Sequence, residues 1–89
     1  MLYPYVVLPD EIEVLHTNVL DSGCVEVHFE QATDVGFNSA RCELPAYNWI
    51  IQEGFPQDQL REFETFLRNN AHLIFKYAQS GKLTSRPRR

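Results

Sequence analysis

The sequence predicts an α+β fold, in which a small antiparallel sheet of three to four strands packs on one long C-terminal helix, with a short helix before it. Two stretches, residues 11–20 and 24–30, alternate between apolar and polar side chains, as half-buried strands do. Residues 56–79 instead repeat their apolar side chains at helical spacing. One face of such a sheet must be covered, and the long helix is the element that can cover it.

Length and composition indicate a single small domain. The chain has 89 residues, and its hydrophobic fraction of 44% is ordinary for a globular protein. We expect residues 1–81 to form the domain and residues 82–89 to form a flexible basic tail. No stretch approaches the roughly 20 apolar residues of a membrane span, and early prolines and acids argue against a signal peptide. The expected localisation is cytoplasmic.

The first hairpin is predicted from the turn residues Asp21, Ser22 and Gly23. A three-residue loop with Gly23 in the left-handed region keeps odd positions opposite odd positions, so that one face is apolar. This register places His16 opposite His28 on the polar face. The residues expected to point inward are Leu15, Thr17, Val19, Val25, Val27 and Phe29.

The rest of the sheet is predicted from weaker patterns. Residues 31–37 contain turn-forming side chains and are expected to form a loop. Residues 38–44 alternate again and predict a third strand that ends at Pro45. The β-prone residues 3–8 are a candidate edge strand. We expect residues 46–53 to form the short helix, closed by a C-terminal Gly54.

The long helix has an apolar arc that is wider than one contact requires. A narrow stripe comprises Leu60, Phe63, Leu67, Ile74 and Ala78. Further apolar side chains widen the arc to both sides, which predicts a second contact, either within the fold or with another copy of the chain. The candidate interface residues for a homodimer are Phe66, Asn70, Leu73, Phe75 and Tyr77.

Two polar residues of this helix lead to different expectations. His72 falls opposite the apolar stripe and is expected to face solvent. Asn70 falls inside the apolar arc, where a buried amide needs hydrogen-bond partners. It either satisfies a polar group of the fold itself or acts as a polar specificity element in an interface.

Charge is divided unevenly along the chain. Residues 1–58 carry ten of the twelve acids and a single base, Arg41, which is a formal charge of −9. Residues 59–89 carry seven bases and two acids, which is a formal charge of +5. Such an electrically polar molecule fits binding to a charged partner better than it fits any one reaction.

The predicted polar face of the first hairpin brings together a candidate catalytic set. In the predicted register, His16 and His28 are neighbours, and Arg41 joins them from the third strand. Two imidazoles and a cation are what metal-independent phosphodiester cleavage needs, as in small toxin ribonucleases. The same histidines with Glu26 or Glu30 would also suit a divalent metal chemically, although no spacing is diagnostic and no metal site is assigned.

An acidic surface is the second candidate site. Acids of the strands and loops would crowd the open side of the sheet, where they would suit a basic protein partner. The candidate binding residues are Glu11, Glu13, Glu26, Glu30 and Glu43. Nucleic acid is a further candidate partner, through the basic residues 82–89, because a basic arm can contact phosphates.

Several reaction classes are disfavoured. The chain has no Gly-rich phosphate loop, nucleophile elbow, HExxH or CxxC motif. The two cysteines, Cys24 and Cys42, are too few for a disulfide scaffold and match no zinc spacing, so we expect reduced, small hydrophobic side chains. No cofactor is predicted.

One stretch carries a resemblance. A hairpin with His28, Phe29 and Glu30, followed by a strand and a long helix, is similar to short bacterial proteins found in mobile-element or toxin–antitoxin-like neighbourhoods. The resemblance covers residues 24–30 and 60–81. With the charge division, it favours a small non-enzymatic protein-binding module of bacterial or mobile-element type. The alternative hypothesis is the metal-independent ribonuclease.

Overall fold

A computed structural model describes residues 2–83, with side chains described through residue 79. It has the predicted α+β fold, but the sheet has five strands rather than three to four. The strands follow one another in the sheet in chain order, each antiparallel to the next. The elements are β1 (Tyr3–Leu8), a 3₁₀ turn (Pro9–Glu11), β2 (Ile12–His16), β3 (Val25–Thr33), β4 (Gly36–Leu44), β5 (Asn48–Glu53) and α1 (Gln57–Leu83).

The helix α1 covers one face of the sheet, as the sequence predicted. The five residues of its narrow apolar stripe are all buried. At the centre of the core, the rings of Phe29 and Phe63 stack with their centroids 4.1 Å apart. Phe55, which precedes the helix, packs edge-on against Phe63 at 4.9 Å. These aromatic contacts supply much of the buried area available to so small a domain.

The two edges of the sheet are β1 and β5. Residues 3–8 do form a strand, which pairs with β2 through a register shift between Pro4 and Val6. A proline and an irregular register both suit an edge position, because proline cannot donate to a neighbouring strand.

The predicted short helix at residues 46–53 is wrong, because β5 occupies this segment. Trp49, Ile50 and Ile51 are side chains that favour strands. Trp49 packs against Phe29, with ring centroids 6.1 Å apart, and so extends the core across the fifth strand. Gly54 does adopt a positive φ of +90°, but it ends a strand rather than a helix.

The predicted register of the first hairpin is also wrong, by one residue. Leu15 pairs with His28, and His16 pairs with Val27. The buried side chains of β2 are therefore those of Ile12, Val14 and His16, not those at odd positions. Apolar side chains stand at both even and odd positions of this strand, so its alternation did not define the inner face.

The turn between β2 and β3 keeps one predicted feature. Gly23 has a φ of +88°, in the left-handed region. However, β2 ends at His16, so the connection is longer than three residues. Thr17 remains tied to β3, because its amide donates to the Glu26 carbonyl at 3.0 Å.

The predicted third strand is confirmed and extended. Residues 31–37 are not a loop, because β3 runs to Thr33 and β4 starts at Gly36, and these two residues pair. The inward side chains of β4 are Ala40, Cys42 and Leu44, as expected from the alternation.

At the C-terminus, Lys82 and Leu83 belong to α1. The other residues of the predicted basic tail lie outside the described part of the chain. Among residues 2–83, no helix is long and apolar enough to cross a membrane.

Candidate functional site

The face of the sheet opposite α1 is organised in rows by the strand registers. The central row is formed by Leu15, His28, Arg41 and Ile51, which are successive cross-strand partners from β2 to β5. Neighbouring residues of a strand point to opposite faces, so the next row on this face lies two residues away along each strand. The same pairing therefore determines which residues share that row. We call this surface the open face.

Acidic residues lie directly opposite one another on the open face. Glu13 of β2 pairs with Glu30 of β3, and Glu26 of β3 pairs with Glu43 of β4. The row of Glu13 and Glu30 continues through Ser39 of β4, the partner of Glu30, to Glu53 of β5, the partner of Ser39. Like charges in directly opposed positions destabilise a sheet. The open face therefore holds two opposed pairs of carboxylates, and among the described residues the Glu13–Glu30 pair has no basic side chain to offset its repulsion.

One cluster on the open face is internally neutralised. The His28 Nε2–H donates to Glu26 Oε1 at 3.3 Å, and Arg41 Nε lies 4.0 Å from the same oxygen. Arg41 Nε is buried and has no hydrogen-bond partner within the described residues. Burial lowers the pKa of His28 and the Arg41 charge lowers it further, while the hydrogen bond to Glu26 opposes the shift. The imidazole is thus held in its neutral form more strongly than a solvated one.

The remaining acids of the open face are not neutralised. Glu30 accepts a hydrogen bond from the Ser39 hydroxyl at 2.9 Å. In the described part of the chain, none of the other acids on this surface pairs with a basic side chain. These unpaired acids are Glu11, Glu13, Glu43 and Glu53, and Glu30 also lacks a basic partner.

A groove of about 370 Å³ opens among these acids. Its polar lining is Glu11, Glu13 and Glu30, and two large apolar side chains lie beside them. Phe37 is 72% exposed and Val7 is 67% exposed. The sequence analysis placed Val7 in the candidate edge strand and Phe37 in a loop, and it identified neither side chain as part of a site. The signal for a strand was weak here, because Phe37 is followed by Asn38, Ser39 and Ala40, which do not favour strands. We call this depression the acidic groove.

The predicted histidine pair does not form. His16 points into the helix-covered side of the sheet and is 3% exposed, while His28 lies on the open face. The ribonuclease hypothesis and the metal alternative both required the two imidazoles on one surface, so the register removes their geometric basis. His28 and Arg41 do come together. Within residues 2–83, no group of three or more metal-ligating side chains is close enough to hold an ion.

The predicted interface residues of α1 flank the core. Phe66 is half-buried and packs against Tyr5 at a centroid distance of 6.1 Å. Asn70 accepts a hydrogen bond from the Tyr5 hydroxyl at 2.8 Å and donates to the Phe66 carbonyl, so its amide serves the fold. Leu73 and Phe75 are half-buried, and Tyr77 is 49% exposed. His72 is exposed, as predicted.

Comparisons with protein-family models, with curated proteins and with solved structures found no match to this chain.

Proposed function

We propose that the chain is a small protein-binding module whose open face receives a basic segment of another protein. The observation that carries this proposal is the directly opposed pair of Glu13 and Glu30, which has no basic partner among the described residues. A surface that keeps repulsive pairs gives up stability, and a cationic partner placed between the carboxylates turns that repulsion into attraction.

The apolar residues of the acidic groove support a protein partner in particular. Exposed Phe37 and Val7 stand among the carboxylates, so the groove offers both apolar area and negative charge. Central apolar anchors with charged surroundings are typical of protein interfaces. A basic segment that carries apolar side chains would use both features, whereas a simple inorganic cation would use only the charge.

The division of charge supports the same orientation. The open face carries one described arginine, Arg41, and that side chain is turned toward Glu26. The other described basic side chains, Arg61, Arg68 and Lys76, are on α1. Long-range attraction would therefore bring a cationic partner to the sheet side of the molecule.

The test uses a short peptide of alternating lysine and leucine as the probe. Binding is followed by ¹⁵N–¹H correlation spectra of the labelled protein at two salt concentrations. We expect amide shifts on β2, β3 and β4 around the acidic groove, and weaker binding at higher salt because the charges are screened. Shifts confined to α1 would contradict the proposal.

A matched pair of variants separates the open face from net charge. The double variant E13K/E43K replaces one member of each repulsive pair, and D58K/E62K makes the same charge change on α1. We expect E13K/E43K to lose at least ~10-fold in peptide affinity while its free energy of unfolding rises by about 0.2–1 kcal/mol per pair. Equal losses in both variants would show that only net charge matters.

A homodimer is a second proposal, and Tyr77 is the observation behind it. This side chain remains 49% exposed one helical turn after the half-buried Leu73, so apolar area is available on that flank of α1. Sedimentation velocity over a range of protein and salt concentrations tests it. A dimer that salt does not weaken is the expected result, and a monomer at every concentration would contradict it.

A further inference from the structure

A second cavity, of about 390 Å³, lies where the edge strand β1 meets α1. Its lining is almost entirely aromatic and consists of Tyr3, Pro4, Tyr5, His16 and Tyr77. No carboxylate, lysine or arginine of the described residues belongs to this lining. It is therefore chemically unlike the acidic groove, and its interpretation does not depend on the binding proposed for the open face. We call it the tyrosine cavity.

The four rings form a curved wall rather than a flat stack. The ring centroids of Tyr3 and His16 lie 5.7 Å apart, and the two ring planes are tilted by 34°. The ring centroids of His16 and Tyr5 lie 6.4 Å apart with an interplanar angle of 77°. Those of Tyr5 and Tyr77 lie 5.9 Å apart with an interplanar angle of 51°. Each ring is thus turned relative to the next, and the cavity lies along the wall that this series of rings makes.

Two of the four rings are held in place by hydrogen bonds to the rest of the fold. The Tyr5 hydroxyl donates to Asn70 Oδ1 at 2.8 Å, and His16 Nδ1–H donates to the Thr17 carbonyl at 2.8 Å. Burial raises the pKa of Tyr5, and the nearby Tyr77 raises it further. His16 is 3% exposed, whereas Tyr77 is 49% exposed and forms the rim. Such a fixed wall reduces the cost of ordering side chains on binding.

The chemistry of this lining selects for one class of ligand. The faces of aromatic rings are electron-rich and attract cations. A primary ammonium is strongly hydrated and would need a carboxylate partner to leave water, and the described residues of the lining supply none. A methylated ammonium is weakly hydrated, so the faces of the tyrosine rings can hold it without a carboxylate.

We propose that the tyrosine cavity binds a quaternary or otherwise methylated ammonium group. Its volume lies within the range of small-ligand sites. The rings of Tyr3, Tyr5 and Tyr77 would surround the methyl groups, and the half-exposed rim would let the rest of the ligand reach solvent. The ligand class follows from the rings and from the lack of a carboxylate among the lining residues that the structure describes.

The test compares choline with 3,3-dimethylbutan-1-ol, in which carbon replaces the charged nitrogen at the same shape. Each is titrated into the labelled full chain and followed by ¹⁵N–¹H spectra. We expect choline to shift amides around Tyr3, His16 and Tyr77 and to bind at least ~5-fold more tightly than the neutral alcohol. Equal binding of both would show an ordinary apolar cavity and would overturn the proposal, as would no binding of either.

Variants of the rim complete the test. We expect Tyr77→Leu to weaken choline binding at least ~5-fold and Tyr77→Phe to preserve it, because phenylalanine keeps the aromatic face. Tyr3→Leu is the second variant, in case Tyr77→Leu lowers the melting temperature enough to obscure the result. The matched control is Phe37→Leu, which removes an exposed ring on the open face and should leave choline binding unchanged. Unchanged binding in both Tyr77→Leu and Tyr3→Leu would contradict the assignment.

Discussion

The imidazole of His28 donates a hydrogen bond to the carboxylate of Glu26, two residues earlier on the same strand, at a distance of 3.3 Å. The bond lies on the open face, yet His28 is only 7% exposed. Arg41, its cross-strand partner, covers the same carboxylate from β4. A titratable side chain is thus enclosed on the surface that we propose as the binding face, and its protonation has a predictable effect on stability.

We predict that His28 makes the fold less stable in acid. Burial lowers the pKa of His28 in the folded state, so the unfolded chain takes up this proton first as the pH falls below about 6.5. The destabilising contribution of His28 is therefore absent above that pH. It grows as the pH falls toward the folded-state pKa of His28 and is constant below that pKa. Chemical unfolding between pH 7.5 and 5 measures the loss.

The control for this prediction is His28→Gln, which keeps a side-chain donor for Glu26 and cannot titrate. His16 and His72 are present in both proteins, so their effects cancel in the comparison. We expect the variant to lose less stability than the native chain over the same pH interval. Parallel curves for the two proteins would contradict the assigned shift.

Asn70 is predicted to stabilise the fold through Tyr5. Its carbonyl oxygen accepts from the Tyr5 hydroxyl at 2.8 Å, and its amide nitrogen donates to the Phe66 carbonyl at 2.9 Å. We expect Asn70→Ala to cost about 0.5–1.5 kcal/mol relative to Asn69→Ala. Asn69 is the exposed neighbour, so both substitutions raise helix propensity equally and only one removes the bonds.

A double-mutant cycle checks the origin of that cost. The Tyr5 hydroxyl and Asn70 share one hydrogen bond. The double variant Tyr5→Phe/Asn70→Ala should therefore lose less free energy of unfolding than the sum of the losses in the two single variants. Urea unfolding of the four proteins supplies the numbers. Strict additivity would mean that the two residues stabilise the fold independently.

Gly54 is predicted to be harder to replace than Gly23. Both have a positive φ, +90° and +88°, so alanine should cost each about 1–2 kcal/mol in backbone strain. A Cβ at Gly54 would also collide with the Asn38 side chain and lie 3.1 Å from its Cα, whereas a Cβ at Gly23 would meet nothing within 4 Å.

We therefore expect Gly54→Ala to lower the free energy of unfolding by about 1–3 kcal/mol more than Gly23→Ala does, which is the usual cost of overpacking. The measurement is the free energy of unfolding of each variant. Shortening the neighbour, as Asn38→Ala in the Gly54→Ala background, should restore part of the difference. Equal losses at the two glycines would show that backbone strain alone decides both.

The two cysteines are predicted to react at very different rates. Burial, together with the nearby Glu64 and Glu43 carboxylates, raises the pKa of the Cys42 thiol to about 12. Cys24 is only half-buried. Because the thiolate is the reactive form, a short pulse of iodoacetamide at pH 8 should alkylate Cys42 at least ~100-fold more slowly than Cys24. Peptide mass spectrometry reads out both sites, and the difference should vanish in urea.

The candidate site was predicted in part. The alternation of β3 and β4 placed Glu26, Glu30 and Glu43 on one surface, and the structure has them there. Glu13 belongs to the same surface only because the β2 register differs from the predicted one. Phe37 was missed because the turn residues of the β3–β4 hairpin suggested a loop in place of paired strands.

What the sequence by itself determined is local. The spacing of apolar residues defined α1 and its buried stripe, and alternation defined the inner faces of β3 and β4, because each pattern depends only on the geometry of its own element.

Only the tertiary structure decided which strands meet and in what register. The segment around Trp49 forms a strand because Trp49 packs against Phe29 at the β5 edge of the sheet. A shift of one residue in β2 turned His16 inward and Glu13 outward. Apolar side chains at both even and odd positions of β2 allowed either register locally, so the choice was made by packing between strands.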